Sequence, residues 1–594
     1  MGMRSIGIDL GTSNTLVARI NSEGQPEIVE INSNKMVPSV VYIEETAGNI
    51  VVGSGALDMW ADSSFDPARS FRRWKLQMGE DHIVSILPLG DTGVGRIEVS
   101  PERLTTYMVE HVVDEISHGD DGEEIESILV TVPHGWRREK PEKCRATRLA
   151  AEQARFNGQS VAVQKITVSE PVAAAAYWLW VTRQNRPDGE FVDKTMMVCD
   201  IGGGTFDISL VLIGDIDKPL DVIDAINNDM AGDYADALVC AMVCKQFNQK
   251  FGTQYPEDAE SILQSIESKS ISWLRSWFLV VKEQFKEKLS LRAEQITKMN
   301  QSLNEIKPFQ HAFVDGDGNH LQFSMGVIDL LQCLEPFFDE GRKLLRTFLG
   351  KVQAQRLPYA VVFAGGGSRI TGVRENMIAP VLREFFKENE VDKVLQRIEP
   401  NKGKLDLAIA LGAALIANGV VSVQERLLHN IGMIGHLVDS PPLIDALNLP
   451  KSTEKIVLTP IVKRGEVLPV KVTSSDIGLP CTMQPGEDLD LEIVIDDDSQ
   501  DPWVQHFVVP HPATGGATQG LVWVIEADTD GALTIHLQPQ KGQLVTVQGR
   551  LERKRTGRAS IVFAQELNKN KQAGLPRVNP KVLVDAIKKL RGKP

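Results

Sequence analysis

One short pattern occurs twice in this chain, and it constrains the fold more than any other feature. Asp9-Leu10-Gly11-Thr12-Ser13-Asn14 follows the apolar run Ile6-Gly7-Ile8, and Asp200-Ile201-Gly202-Gly203-Gly204-Thr205-Phe206-Asp207 follows Met196-Met197-Val198-Cys199. Each copy reads as a strand, an acid, a glycine turn with hydroxyls, and a second strand (Thr15 to Ile20; Ile208 to Ile213). Either copy alone is no more than a tight hairpin turn. The two together suggest related half-domains that close on one ligand. Glycine lets backbone N–H groups approach anionic oxygens without a Cβ in the way, and such turns form anion nests. Gly11, Thr12, Ser13 and Asn14 can grip phosphates on one side, with Gly202, Gly203, Gly204 and Thr205 on the other. The chain has no Gly-x4-Gly-Lys-Ser/Thr sequence, so this is not a P-loop.

The acids at the turn edges require a counter-charge. Asp9, Asp200 and Asp207 would repel phosphates unless a divalent cation intervenes. Mg²⁺ dehydrates reluctantly, so carboxylates often hold it through its waters, and it would bridge the phosphates. A third glycine turn, Ala364-Gly365-Gly366-Gly367-Ser368-Arg369, follows the buried-strand pattern Tyr359 to Phe363 and precedes a helix-like stretch from Val373 to Phe386. Such strand-to-helix turns also bind adenosine. The weight of this one comes from its place after two phosphate turns.

The chain has 594 residues, enough for two to four domains rather than one core. To about Gly419, strand-like runs (Ile125 to Val132; Ala360 to Ala364) alternate with helical stretches (Leu104 to Ser117; Ala259 to Leu291; Val327 to Leu349), which is an α/β pattern. Ser100-Pro101 reads as one helix start and Gly350 as a helix end. After Val420 the texture becomes strands and turns: Ile456 to Leu458, Leu489 to Ile495, Leu521 to Ala527, Ala532 to Leu537 and Ser560 to Phe563. Pro485-Gly486, Gly515-Gly516 and Asp530-Gly531 separate them. An all-β domain is expected there, then a short helix from Pro580 to Leu590.

A net charge of −15 argues against a broad nucleic-acid surface, and local basic clusters such as Arg550 to Arg558 read as solvated faces. No apolar run approaches the length of about 18 residues that a membrane-spanning helix needs. No signal peptide or myristoylation pattern opens the chain. The expectation is a cytoplasmic protein with no membrane partner. Of the six cysteines, Cys240 and Cys244 lie at helical spacing among Ala and Val and read as a buried helix face.

The order of the three glycine turns resembles the actin-like ATPase superfamily, and further segments resemble its 70-kDa heat-shock chaperones. Val130-Thr131-Val132-Pro133 and Val168-Ser169-Glu170-Pro171-Val172-Ala173-Ala174 are similar to that family's first connecting segment. Asp406 to Ala414 is similar to its second connecting helix, and Arg464 to Pro469 and Ile525 to Leu533 to parts of its substrate-binding domain. Glu283, Lys286 and Ser290 fit its Glu-x-x-Lys-x-x-x-Ser helix. The resemblance implies a two-lobed actin-like ATPase domain, an all-β substrate-binding domain and a short C-terminal helix. It implies boundaries of 1–420 for the nucleotide-binding domain, 421–431 for a linker, 432–565 for the β-sandwich and 566–594 for a tail.

The resemblance also implies roles. Lys75 would stand beside the attacking water and the γ-phosphate, a lysine that local sequence alone would leave as an exposed helix residue. Glu170 and Asp200 would position that water and the Mg²⁺ shell, and Thr205 would contact the γ-phosphate. Asp9 and Asp207 would complete the metal environment. Glu283, Lys286, Ser290, Gly365, Gly366, Gly367, Arg369 and Asp406 would hold the adenosine, and Pro133 would couple nucleotide state to the second domain. ATP or ADP with Mg²⁺ would be the cofactor. An extended polypeptide would be the client, and a J-domain co-chaperone and a nucleotide-exchange factor the helpers.

The chain departs from the family pattern where coupling is concerned. It has an apparent insertion, Arg137 to Glu142, and Arg145 falls one place from the slot of the family's partner arginine. The inter-lobe double glycine appears as Ala231-Gly232, and the leucine-rich acidic linker as Glu425-Arg426-Leu427-Leu428-His429-Asn430. The helical lid is expected to be reduced or missing. The reading is an ATP-dependent chaperone; the alternatives are an ATP-switched adaptor of one dedicated partner and a small-molecule kinase of the same superfamily.

Overall fold

The computed structural model describes residues 4–423, apart from 46–48, 63, 80–82, 90–94, 119–124, 157–158, 161, 186–189, 215–219, 269–270, 272, 300–301, 353–357, 397–403 and 405. Beyond these it describes residues 427, 430–436, 456–463, 466–473, 481–482, 489–496, 503–509, 520–531 and 533–539. Two compact units emerge: residues 1–139 with 143–423, and residues 140–142 with 424–594.

The first unit contains two sheets, of six and four strands, that share one four-strand arrangement. β1 (Arg4–Leu10), β2 (Asn14–Ile20), β3 (Pro26–Ile28), β4 (Ile125–Val132) and β5 (Val168–Ser169) run in the order β5-β4-β1-β2-β3. β1 pairs antiparallel with β2, placing Asp9 opposite Leu16, and parallel with β4. In the second sheet β6 (Thr195–Ile201), β7 (Phe206–Leu212), β8 (Asp221–Asn228) and β9 (Ala360–Ala364) run in the order β8-β7-β6-β9. β6 pairs antiparallel with β7, placing Asp200 opposite Asp207, and parallel with β9. In both sheets the Asp-bearing strand starts an antiparallel meander and takes a parallel neighbour on its other side. That parallel step needs a crossover connection, which is why each half carries helices.

Two helices meet between the sheets. α1 (Glu170–Asn185) and α3 (Ala408–Ala417) bury runs of small residues, Ala173 to Ala176 on one and Ala410 to Ala414 on the other. A Cβ on Gly412 would lie 1.7 Å from the Ala173 carbonyl oxygen, and one on Gly7 of β1 would lie 2.4 Å from the Ala414 nitrogen. The helix backbones therefore touch each other and the sheet with no side chain between them. The third helix that positions the site is α2 (Gly232–Phe251), whose buried face carries Cys240, Cys244 and Phe247. Those two cysteines are free thiols in the core of the second half, as their spacing predicts.

Several expected helices are interrupted. The stretch from Ala259 to Leu291 is two elements, Ala259–Glu267 and a helix from Leu274 to Lys298 whose middle, Val281–Glu287, is a π-helical turn. Val327 to Leu349 is likewise divided into Val327–Cys333 and Glu335–Lys351, since Pro336 cannot continue the first helix but fits the opening turn of the second. Gly350 lies inside that second helix rather than ending it. Val373 to Phe386 begins with a π-helical turn, Val373–Ile378.

In the second unit, Ile456–Val462, Asn430–His436, Leu489–Asp496 and Trp503–Val509 form one antiparallel sheet in that order. Val470–Thr473, Gly520–Ala527 and Leu533–Pro539 form another, with Ala527 opposite Leu533 across a turn in which Gly531 has φ 82°. The expected strand Ser560 to Phe563, the helix Pro580 to Leu590 and residues 424–426 and 428–429 of the linker lie outside the described residues. Among the described residues no helix is long and apolar enough to cross a membrane.

The α1–α3 contact makes a paired prediction. Gly412→Ala forces a methyl into backbone and should destabilise the first unit by about 3 kcal/mol. Gly350→Ala meets nothing within 4 Å. It should stabilise by about 0.5–1 kcal/mol through reduced unfolded-state entropy. Denaturant unfolding of the two variants reads the opposite signs.

Candidate functional site

The hairpin geometry places the glycine turns. β1 ends at Leu10 and β2 begins at Asn14, so Gly11 to Ser13 make the turn, and a Cβ on Gly11 would lie 2.2 Å from the Asn14 carbonyl oxygen. Past β6, the Gly202 N–H donates to the Thr205 carbonyl at 2.9 Å and closes the second turn. The two turns reach each other. A Cβ on Gly203 would lie 2.0 Å from Ser13 Oγ, and one on Gly204 would lie 2.9 Å from Thr12 Cγ2. The third turn leaves β9 at Gly365, where φ is 74°, and Gly366 has open space where a Cβ would be.

All three turns open on one cavity of about 340 Å³. Gly11, Thr12, Ser13 and Asn14 line it from the first turn, Gly202, Gly203 and Thr205 from the second, and Gly365, Gly366, Gly367 and Arg369 from the third. Asp9, Asp200, Lys75, Glu170, Lys286, Ser290 and Asp406 complete the expected residues on its wall. Four expected residues are placed elsewhere. Gly204 packs on Thr12. Asp207 is buried beside Asp200 on the neighbouring strand. Pro133 is buried just past the end of β4. Glu283 is exposed and off the cavity, and Glu287 lines it instead. The π-helical turn explains the exchange: its wider turn breaks the 3.6-residue spacing on which the Glu283, Lys286, Ser290 face depends.

Lys75 is no exposed helix lysine. It sits on a 3₁₀ turn, Trp74–Gln77, 4% exposed, with Nζ 2.5 Å from Glu170 Oε1. Glu170 opens α1 immediately after β5, so the first sheet and the helix crossing fix its position. Arg145 is half-buried, whereas Lys143, two residues earlier, is buried and donates to the Leu76 carbonyl. The inserted segment also contributes Arg137, which is buried and donates to Thr167 beside β5.

Residues that the sequence did not single out also line the wall, among them the charged Asp233, Asp236 and Lys282. The N-terminus of α2 braces the second turn, with Gly232 N–H to the Gly202 carbonyl at 3.0 Å and Asp233 N–H to the Gly203 carbonyl at 2.7 Å. Ser13 Oγ donates to Asp233 Oδ1 at 3.3 Å, and Arg73 Nε lies 3.3 Å from Asp233 Oδ2. Burial works against ionisation of Asp233, but the guanidinium groups of Arg72 and Arg73 hold its pKa below the usual range. Asp236 pairs with Lys286 at 2.7 Å, and burial still pushes it up to about 6. A glycine-acid step at a helix start was the available signal for this pair. At the third turn, Arg369 pairs with Asp406 at 2.5 Å, and Ser290 Oγ accepts from the Thr371 N–H at 3.0 Å.

The acids beneath the first two glycine turns behave differently. Burial first, then the charge of Glu170, pushes Asp9 up to about 7, opposed by Lys75 and by the Thr131 hydroxyl that donates to it at 3.2 Å. Burial and Glu170 push Asp207 up to about 7 as well. Asp200 is raised by burial, Glu170, Asp207 and Asp9, and its Oδ1 is buried without a hydrogen-bond partner. Clustered hard oxygens with an orphaned acceptor suit a hydrated divalent cation. Among the described residues no three His, Cys, Asp or Glu side chains gather closely enough to chelate a metal directly.

The raised acids set a pH dependence. Burial lifts the Asp207 carboxyl from its ordinary value near 3.8, the value it regains on unfolding, to about 7 in the fold. Between those values the native state binds more protons, so this contribution to stability falls as pH rises through about 7. Asp207→Asn should therefore gain stability over wild type as pH rises from about 5 to about 7 and level off above that, and thermal unfolding across pH ~5 to ~8 without nucleotide should show the gap widening and then flattening; a gap independent of pH contradicts the linkage.

Comparison with known proteins agrees with this geometry. The profile of the Hsp70 protein family matches residues 5–475. Proteins named chaperone protein DnaK from Thermotoga neapolitana and Thermotoga maritima are each 25% identical over 472 residues, covering 78% of this chain and 66% of theirs. The DnaK of Thermosipho melanesiensis is 24% identical over 474 residues, with the same coverage. The matched segment spans about two thirds of the length of these curated relatives. With both glycine turns, the Lys75–Glu170 pair and most of the chain inside the matched region, this chain belongs to the Hsp70 family.

Proposed function

We propose that this chain is an ATP-dependent chaperone that binds ATP with Mg²⁺ in the cavity, hydrolyses it to ADP and phosphate, and couples that cycle to an extended polypeptide client. One observation carries the reading: two glycine turns from separate sheets converge on one cavity that also holds the buried Lys75–Glu170 pair.

In this reading the backbone N–H groups of Gly11 to Asn14 and Gly202 to Thr205 cradle the phosphates from both sides. The Lys75 ammonium faces the γ-phosphate, and Glu170 orients both that ammonium and the attacking water. The Thr205 hydroxyl donates to the γ-phosphate. Phosphoryl transfer needs positioning and charge neutralisation more than covalent chemistry from the protein. Mg²⁺ would supply positive charge to the phosphates; Asp9 and Asp200 would hold it through its waters, with Asp207 adding negative charge from the neighbouring strand. Gly365, Gly366, Gly367, Arg369, Asp406, Lys286 and Ser290 hold the adenosine, with Glu287 on the wall where Glu283 was expected.

The nucleotide-binding domain covers residues 1–420 in this proposal, and the β-rich region from 432 grips client by strand pairing and side-chain pockets. Pro133 and the 421–431 segment report nucleotide state, and a J-domain protein and an exchange factor would act on the cycle. The test is phosphate release by the full chain with and without a panel of apolar peptides. Stimulation by many peptides is expected; none would favour an adaptor of one dedicated partner. Lys75→Ala should bind ATP while hydrolysing about 100-fold more slowly, and wild-type turnover would refute its assignment.

A further inference from the structure

A lysine with four rotatable side-chain bonds is a poor fixed charge unless its surroundings hold it. Lys75 rides on the short 3₁₀ turn Trp74–Gln77, entered through Arg73 at φ 61°. Three long-range contacts pin that turn. Trp74 Nε1 donates to Thr105 Oγ1 at 3.1 Å, the Gly79 N–H donates to Glu102 Oε1 at 2.9 Å, and Lys143 Nζ donates to the Leu76 carbonyl. Lys143 is 3% exposed, and a lysine is buried at a considerable cost unless its ammonium finds compensation.

The compensation is shared with Lys75. The Trp136 ring is 6% exposed, and its centroid lies 5.7 Å from Lys75 Nζ and 5.4 Å from Lys143 Nζ. A desolvated indole attracts a nearby ammonium through its quadrupole. Lys75 Nζ is thus held by Glu170 and the Trp136 ring, while Lys143 fixes the backbone of the next residue. Trp136 and Lys143 flank the Arg137 to Glu142 segment, where the sequence departs from its relatives.

We propose that Trp136 and Lys143 are positioning residues for hydrolysis, which set the placement of the Lys75 ammonium without touching the nucleotide. The proposal rests on the reading of Lys75 as the lysine that faces the γ-phosphate. It separates two effects that a merely structural role would join. Nucleotide affinity comes from the residues that line the cavity, and neither Trp136 nor Lys143 is among them. The hydrolysis step alone depends on where Lys75 Nζ stands.

Single-turnover hydrolysis and nucleotide affinity, measured on the full chain, test it. Lys143→Met and Trp136→Leu should each slow hydrolysis about tenfold while nucleotide affinity stays within about twofold of wild type. Lys143→Arg keeps a cation and a donor, and Trp136→Phe keeps a ring, so both should hydrolyse within about threefold of wild type. Wild-type hydrolysis by Lys143→Met and Trp136→Leu would overturn the proposal, as would rate and affinity falling together. Should the disruptive variants not fold, slow hydrolysis by both conservative ones would also overturn it. Lys75→Ala is the reference: if it hydrolyses normally, the reading of Lys75 has failed rather than the positioning of it.

Discussion

The first unit depends on a seam of small residues. α1 and α3 cross so closely that Gly412 has the Ala173 carbonyl where its Cβ would be, and Gly7 brings β1 against the backbone of α3. Interiors are packed to crystal density, so such a contact admits one arrangement and resists intermediate ones. The seam also sets the site. Glu170 is the first residue of α1, Asp406 lies two residues before α3 begins, and Asp9 follows two residues after Gly7 on β1. Three walls of the cavity are therefore registered to one another through a contact that contains no functional side chain. The two sheets it joins repeat one topology, and this brings two equivalent glycine turns face to face.

Environment then divides the acids into two groups. Asp233 is buried but faced by Arg72 and Arg73, and its charge is stabilised where it braces the second turn against Ser13. Asp9, Asp200 and Asp207 share one buried lysine, already paired with Glu170, and burial raises all three. The first group is complete as the fold makes it. The second is electrostatically unfinished, with more buried negative charge than the protein itself offsets. In the proposed function the positive charge that offsets this group arrives with the ligand.

What the sequence makes legible follows from how local each signal is. The glycine turns, the Ile125–Val132 and Ala360–Ala364 strands and the buried cysteine face each declare themselves within a few residues, and apolar runs with turn residues specify them. The resemblance of several segments to one family extended that reading to Lys75, Glu170 and the base-side residues. Lys75 itself has no local signature, since Trp74-Lys75-Leu76-Gln77 could be any amphipathic turn; its burial comes from Glu170, Trp136 and Lys143, distant in sequence. Glu287 was missed because the expected face assumes α-helical spacing through what is a π-helical turn. Asp233 and Asp236 were missed because their partners, Arg72, Arg73 and Lys286, converge on them only through packing of distant segments.

The central claim is that a single nucleotide engages both glycine turns at once. Amide hydrogen exchange during a titration with Mg²⁺ and ATP tests it directly, using the Lys75→Ala chain to suppress turnover. The account predicts that Gly11–Asn14 and Gly202–Thr205 gain protection together along one saturation curve. Protection of one turn alone, or of the two at different ATP concentrations, would contradict it.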